Sequence, residues 1–128
     1  MATIIHNKLV RDNIPDIISA SGKHPVICSV PSGEILNHLD QKLSEESQEY
    51  FEDHSVEELA DILEVLHGIA FHKGISWDEV ESVRLDKRKE RGGFEKGVFL
   101  TEVREYATTG PAPVINRPDT GKLTGRIE

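Results

Sequence analysis

Between Leu43 and Asp61 the chain reads LSEESQEYFEDHSVEELAD, and two pairs of acids within it, Glu46 with Glu49 and Glu58 with Asp61, are each spaced by three. On a helix that spacing puts both members of a pair on one face. Counting backwards by helical turns from Glu46 meets Leu43, Leu39 and Leu36, and counting forwards from Glu58 meets Ile62, Val65 and Ile69. The acids therefore continue the apolar seams of two consecutive helices. Acidic pairs commonly decorate solvated faces, but acids in line with core-facing stripes repel one another in a low-dielectric setting unless a cation joins them. Any fold adopted by this chain has to meet that constraint.

A chain of 128 residues, 37% of them hydrophobic, is long enough for one domain with a buried core. The net charge of -8 is unevenly spread. Residues 34 to 64 carry eleven acids against the single base Lys42, a face that repels nucleic acid polymers. Residues 84 to 96 reverse the balance, with Arg84, Lys87, Arg88, Lys89, Arg91 and Lys96 against Asp86, Glu90 and Glu95. An acidic centre with a basic flank suits a small ligand that brings both phosphates and a divalent cation. The sole cysteine, Cys28, excludes an internal disulfide. No amino-terminal apolar run resembles a signal peptide and no stretch approaches the roughly 18 to 20 apolar residues of a membrane span, so the expectation is a soluble, cytoplasmic protein without a membrane partner.

Pro15 fits the first turn of a short helix from about Asp12 or Asn13 to Ala20, with Ile14, Ile17 and Ile18 on its apolar face and Gly22 ending it. Lys8 and Arg11 precede it, either as ordinary surface bases or aimed at a phosphate. Residues 25 to 30, PVICSV, are β-branched and flanked by proline, which predicts a short extended segment. A long helix is predicted from Ser32, as N-cap, to about Glu52, with Ile35, Leu36, Leu39, Leu43 and Tyr50 or Phe51 inward. Asp53 and His54 are expected to turn the chain. Ser55 with Glu58 then has capping-box spacing, opening a second long helix over Val56 to His72 that stops at Gly74. A glutamate that reaches back to cap is not free to bind metal, so the two roles of Glu58 compete.

Ser76 with Glu79 repeats the capping spacing and begins a third long helix, Trp77 to about Arg91, with Val80, Val83 and Leu85 inward. Its last turn is rich in Lys and Arg, as the helix dipole favours. Residues 97 to 104, GVFLTEVR, alternate loosely and are expected to form a strand or extended arm pairing with residues 25 to 30. From residue 107 onward the composition turns to Pro, Gly and Thr, which divides the chain into a domain over 1–106 and a tail over 107–128. The six histidines share no zinc-ligand spacing, and neither a nucleophilic Cys–His setting nor a Walker-type phosphate loop is present.

Four carboxylates on two antiparallel helices offer oxygen ligands only, which favours Mg²⁺ or Mn²⁺ over zinc. Mg²⁺ usually shares its ligand sphere with substrate phosphates, so phosphate chemistry is the inference. Glu45, the nearest acid outside the two pairs, is the candidate to orient or deprotonate the attacking water. Lys and Arg from the later basic segment would complete a phosphate clamp.

Glu45-Glu46-Ser47-Gln48-Glu49 followed by Glu58-Leu59-Ala60-Asp61 resembles the EExxE...ExxD signature of the MazG-like all-α nucleotide pyrophosphatases, a superfamily that includes phosphoribosyl-ATP pyrophosphohydrolases and dimeric dUTPases. The likeness extends to Asn7-Lys8-Leu9-Val10-Arg11-Asp12, Lys42-Leu43-Ser44-Glu45-Glu46, Asp61-Ile62-Leu63-Glu64-Val65-Leu66 and Lys87-Arg88-Lys89-Glu90-Arg91-Gly92-Gly93-Phe94, covering about residues 6 to 100. These look like the small stand-alone, house-cleaning branch. The eight residues between Glu49 and Glu58 make a tighter connection than the signature usually has. The resemblance implies an all-α helical bundle, usually a dimer or dimer of dimers. It also implies Mg²⁺-dependent hydrolysis of a nucleoside triphosphate to the monophosphate and pyrophosphate. By the same resemblance Glu46, Glu49, Glu58 and Asp61 are the metal ligands, while Lys8, Arg11, Lys42, Lys87, Arg88 and Arg91 face the substrate. Two other readings share these residues: the phosphoribosyl-ATP enzyme of histidine synthesis, and a non-catalytic nucleotide- or partner-binding helical protein.

Overall fold

Helix signals decide the architecture, and a computed structural model describes residues 2–105 as four helices, with no strand among the described residues. They are α1 (Ile14–Ala20), α2 (Ile35–Asp53), α3 (Val56–His72) and α4 (Trp77–Arg91). The all-α expectation is met. The pairing expected between residues 25–30 and 97–104 is not: both stretches lie outside any strand. A β-branched composition alone supplies no ladder partner, and here the extended runs stay single. The tail expected over 107–128 lies outside the described residues.

Local chemistry explains where the helices start and stop. Pro15 sits in the first turn of α1, where its missing N–H costs nothing. Gly22 at φ 87 closes α1, with Gly22 N–H donating to Ser19 O and Lys23 N–H to Ile18 O. Gly74 at φ 73 closes α3 in the same way, through Gly74 N–H to Phe71 O and Ile75 N–H to Ala70 O. These are the two bonds of a Schellman cap, which needs a left-handed residue that glycine adopts without penalty. The start of α2 differs from expectation. Residues 32–34 form a turn, Glu34 N–H donates to Pro31 O, and the helix begins at Ile35 without a side-chain cap from Ser32. At its other end Asp53 remains helical and His54 alone turns the chain, in the left-handed region at φ 54 with its N–H on Tyr50 O.

Only His54 and Ser55 separate α2 from α3, so the chain folds back at once and the two helices pack as an αα-hairpin. Leu39 of α2 and Val65 of α3 are buried in that contact region, while Leu36, Leu43, Ile62 and Ile69 are half-buried around them. Gly68 lets the helices close up, since a Cβ there would come within 3.3 Å of Leu39 Cδ2. Leu59, Leu63 and Leu66 of α3 are exposed, as are Val83 and Leu85 of α4, which were expected inward; of Tyr50 and Phe51, Tyr50 is half-buried and Phe51 exposed. The α2 neighbour covers one side of α3 only, and the three leucines lie outside it. His67 of α3 stacks on Trp77 at the start of α4, with ring centroids 3.5 Å apart.

The chain divides into two compact units, Met1–Asp86 and Lys87–Glu128, with the division inside α4. In the second, Arg88 Nη2 donates to Glu95 Oε1 at 2.6 Å across Gly93, where any side chain would collide with both partners. No described helix is long and apolar enough to cross a membrane.

Leu39→Ala removes a buried side chain from the one helix pair that carries the packing among the described residues, so a loss of about 2–5 kcal/mol is expected in urea unfolding. A loss under about 0.5 kcal/mol would mean that the α2–α3 seam is not the core.

Candidate metal centre

The apolar seam of α2 runs Leu36, Leu39, Leu43 and then Glu46, and burial follows it to the end: Glu46 retains 8% of its exposure. Opposite it, the first turn of α3 supplies Glu58 and the next turn Asp61. One carboxylate oxygen from each of Glu46, Glu58 and Asp61 lies within 4.8 Å of the others. The expected acids from the two helices thus converge, three of them tightly. Glu49 is exposed, one turn along from Glu46, and acts on the same cluster through its charge.

The competition between the two roles of Glu58 is settled by separate atoms. Ser55 Oγ accepts the backbone N–H of Glu58 at 3.3 Å, so the hydroxyl caps the helix. Glu58 Oε2 is buried and accepts no hydrogen bond. Glu46 Oε2 is likewise buried and without a partner. Two desolvated carboxylate oxygens, on two residues of one cluster, lack the donors that such groups normally find.

The cluster's positive neighbours come from two places. Lys42, one turn before Glu46, holds its Nζ 3.5 Å from Glu46 Oε1 and 3.9 Å from Glu45 Oε2. Arg11, which precedes α1, donates from Nη2 to Asp61 Oδ1 at 2.7 Å. Both bases were expected to face substrate; in this structure each is bound to an acid. Lys42 was legible as an i, i+4 neighbour of Glu46. The Arg11–Asp61 pair spans 50 residues and has no local sequence signal. Glu45 is half-exposed and held toward Lys42, outside the tight triad. Lys8 is exposed and makes no ion pair among the described residues. Lys87, Arg88 and Arg91 belong to the second unit, where Arg88 is paired with Glu95 and all three are exposed.

The electrostatics follow from this crowding. Burial first, then the charge of Glu49, push the Glu46 carboxyl above its ordinary value of 4.5, with Asp61 adding to the rise and Lys42 opposing it. Burial also leads for Glu58, followed by the charges of Glu49, Asp61 and Glu46. An oxygen-only donor set with two orphaned buried oxygens fits a hard divalent cation such as Mg²⁺ or Mn²⁺, and its lack of His or Cys does not fit a zinc preference.

No family model matches the chain. No solved structure matches it either. A protein of Mycolicibacterium smegmatis described only as uncharacterized is 50% identical over 42 residues, which is 33% of this chain and 43% of that protein. The match thus spans less than half the length of that relative.

Raised carboxyl groups set the sign of a pH effect. Glu46 and Glu58 hold protons more readily folded than unfolded, so their contribution is full below 4.5 and is lost as pH rises through their raised folded values. Glu81, Glu95 and Glu102 are lowered, chiefly by hydrogen bonds from Arg84, Arg88 and Arg104, and titrate on the other side of 4.5. The melting temperature of the metal-free protein is therefore expected to fall between pH 4.5 and neutrality, with a shallower fall in Glu46→Gln. Identical slopes in the two proteins would contradict the crowding of Glu46.

Proposed function

We propose that this chain is a metal-dependent nucleotide pyrophosphohydrolase of the MazG-like type, cleaving a nucleoside triphosphate to the monophosphate and pyrophosphate. The observation that carries this reading is the buried, unpartnered Oε2 of Glu46 beside Glu58 and Asp61. A carboxylate held there without a donor is ready for a cation, and the acids involved are those of the EExxE...ExxD signature. Glu46, Glu49, Glu58 and Asp61 would hold Mg²⁺, or Mn²⁺ in its place. When bound, such a cation neutralises phosphate charge and makes water a better nucleophile.

The remaining work falls to this chain's own groups. Glu45, whose Oε2 lies 3.9 Å from the Lys42 ammonium that also meets Glu46, is the proposed group to orient a water and accept its proton. Lys42 and Arg11 are the cations nearest the acids and are the proposed phosphate contacts within residues 1–86, with Lys8 from the same segment as Arg11. The proposal for Lys87, Arg88 and Arg91 rests on the sequence motif alone. A noncanonical, house-cleaning substrate follows from the branch that the sequence resembles, while phosphoribosyl-ATP is the competing substrate with the same motif. Pyrophosphate release from a panel that includes both tests the reading, since Mg²⁺-dependent turnover of one of them is expected and turnover of none would overturn it.

Asp61→Asn and Glu49→Gln each remove a negative charge from the proposed ligand set at nearly constant size. Turnover is expected to fall by at least about two orders of magnitude in each, while the melting temperature of the metal-free protein rises in Glu49→Gln, where only repulsion is relieved, and holds in Asp61→Asn, where the relief is offset by loss of the Arg11 pair. Glu52→Gln, on the same helix but outside both pairs, is the neutral control. Wild-type turnover in the two ligand variants at limiting Mg²⁺ would favour a non-catalytic nucleotide-binding protein.

The same reading includes a homodimer. Val56, Leu59, Leu63 and Leu66 fall on one face of α3, beside the α2-facing seam, and all four are exposed. An uncovered apolar face of this kind is what a second copy would bury. Leu63→Glu is expected to shift the mass measured by light scattering from dimer to monomer. A monomeric, fully active wild-type protein would remove the dimer from the account.

A further inference from the structure

A carboxylate can hold a guanidinium or a metal ion, and Asp61 presents the choice on one carboxylate. Asp61 Oδ1 accepts from Arg11 Nη2 at 2.7 Å, while an Asp61 oxygen also lies within 4.8 Å of those offered by Glu46 and Glu58. The Glu46 side chain keeps only 11% of its exposure and its Oε2 is unpartnered, so the cluster still lacks positive charge with Arg11 in place. The Arg11 side chain is half-exposed and stems from a segment that lies outside any helix. It can therefore swing away at little structural cost, unlike Lys42, whose side chain is largely covered.

We propose that Arg11 is an exchangeable counter-ion of the metal centre: it neutralises Asp61 in the metal-free protein and is displaced when a divalent cation takes that carboxylate. This rests on the metal-centre reading above. The exchange makes cation binding weaker than the four acids alone would allow, and it releases a guanidinium beside the cation. A phosphate arriving with the metal would be the next anion within its reach.

Mn²⁺ binding to the full chain without nucleotide, followed by the electron paramagnetic resonance signal of free Mn²⁺, tests the exchange. Arg11→Ala and Arg11→Gln are each expected to bind Mn²⁺ more tightly than wild type, by about fivefold, the scale of a half-exposed ion pair. Arg84→Ala removes the same charge from a pair with Glu81 outside the cluster and is expected to leave the affinity unchanged. Melting curves verify that each variant is folded, and Arg11→Gln, which keeps hydrogen-bond donors, carries the test if Arg11→Ala is not. Wild-type binding that is unchanged or weakened in the Arg11 variants overturns the exchange and leaves the metal centre standing. Equal tightening in Arg84→Ala also overturns it, because the effect would then be overall charge. No Mn²⁺ binding by the wild type removes the metal centre, and the exchange with it.

Discussion

Everything described within residues 1–86 is arranged around a carboxylate that has been taken out of water. Glu46 occupies a position of the α2 seam that its own periodicity assigns to a hydrophobe, and α3 covers it. Desolvating a charge is costly unless a partner meets it, and only one of the two Glu46 oxygens has one, at the 3.5 Å reach of Lys42. A chain folded for stability alone would place leucine there. The short connection makes the conflict sharper, because His54 and Ser55 fold the helices back at once and bring Glu58 and Asp61 against Glu46.

The surrounding groups read as responses to that strain. Lys42 and Arg11 each take an acid, and proton uptake by Glu46 and Glu58 becomes easier than in water. None of these satisfies both buried oxygens. A divalent cation held by Glu46, Glu58 and Asp61 would supply the missing positive charge, which links the burial to the chemistry proposed for the site.

Much of this was legible in the sequence because it is local. The span of α3, the Gly74 stop, the Ser55 and Ser76 caps and the continuation of both seams into acids all follow from residues within a turn or two of one another. The approach of the two acid pairs also followed, since two helices joined by a tight turn must face each other. What was not legible depends on distant partners. Nothing near Arg11 signals Asp61, 50 residues away. Leu59, Leu63 and Leu66 have the right period for a core, but period does not say whether a neighbour covers the face, and none in this unit does. The pairing expected between residues 25–30 and 97–104 is not seen for the same reason, since local composition does not supply a ladder partner. Ser32 has the chemistry of a cap, yet the turn from Pro31 to Glu34 starts α2 without it.

The central claim is that the three converging carboxylates form a cation site. A crystal soaked in Mn²⁺, with data collected at the manganese absorption edge, tests it most directly. The account predicts one anomalous peak between Glu46, Glu58 and Asp61, at the roughly 2.0–2.2 Å separations of a hard cation from carboxylate oxygens. A peak elsewhere, or none while Glu46 Oε2 and Glu58 Oε2 remain buried and unpartnered, would contradict it.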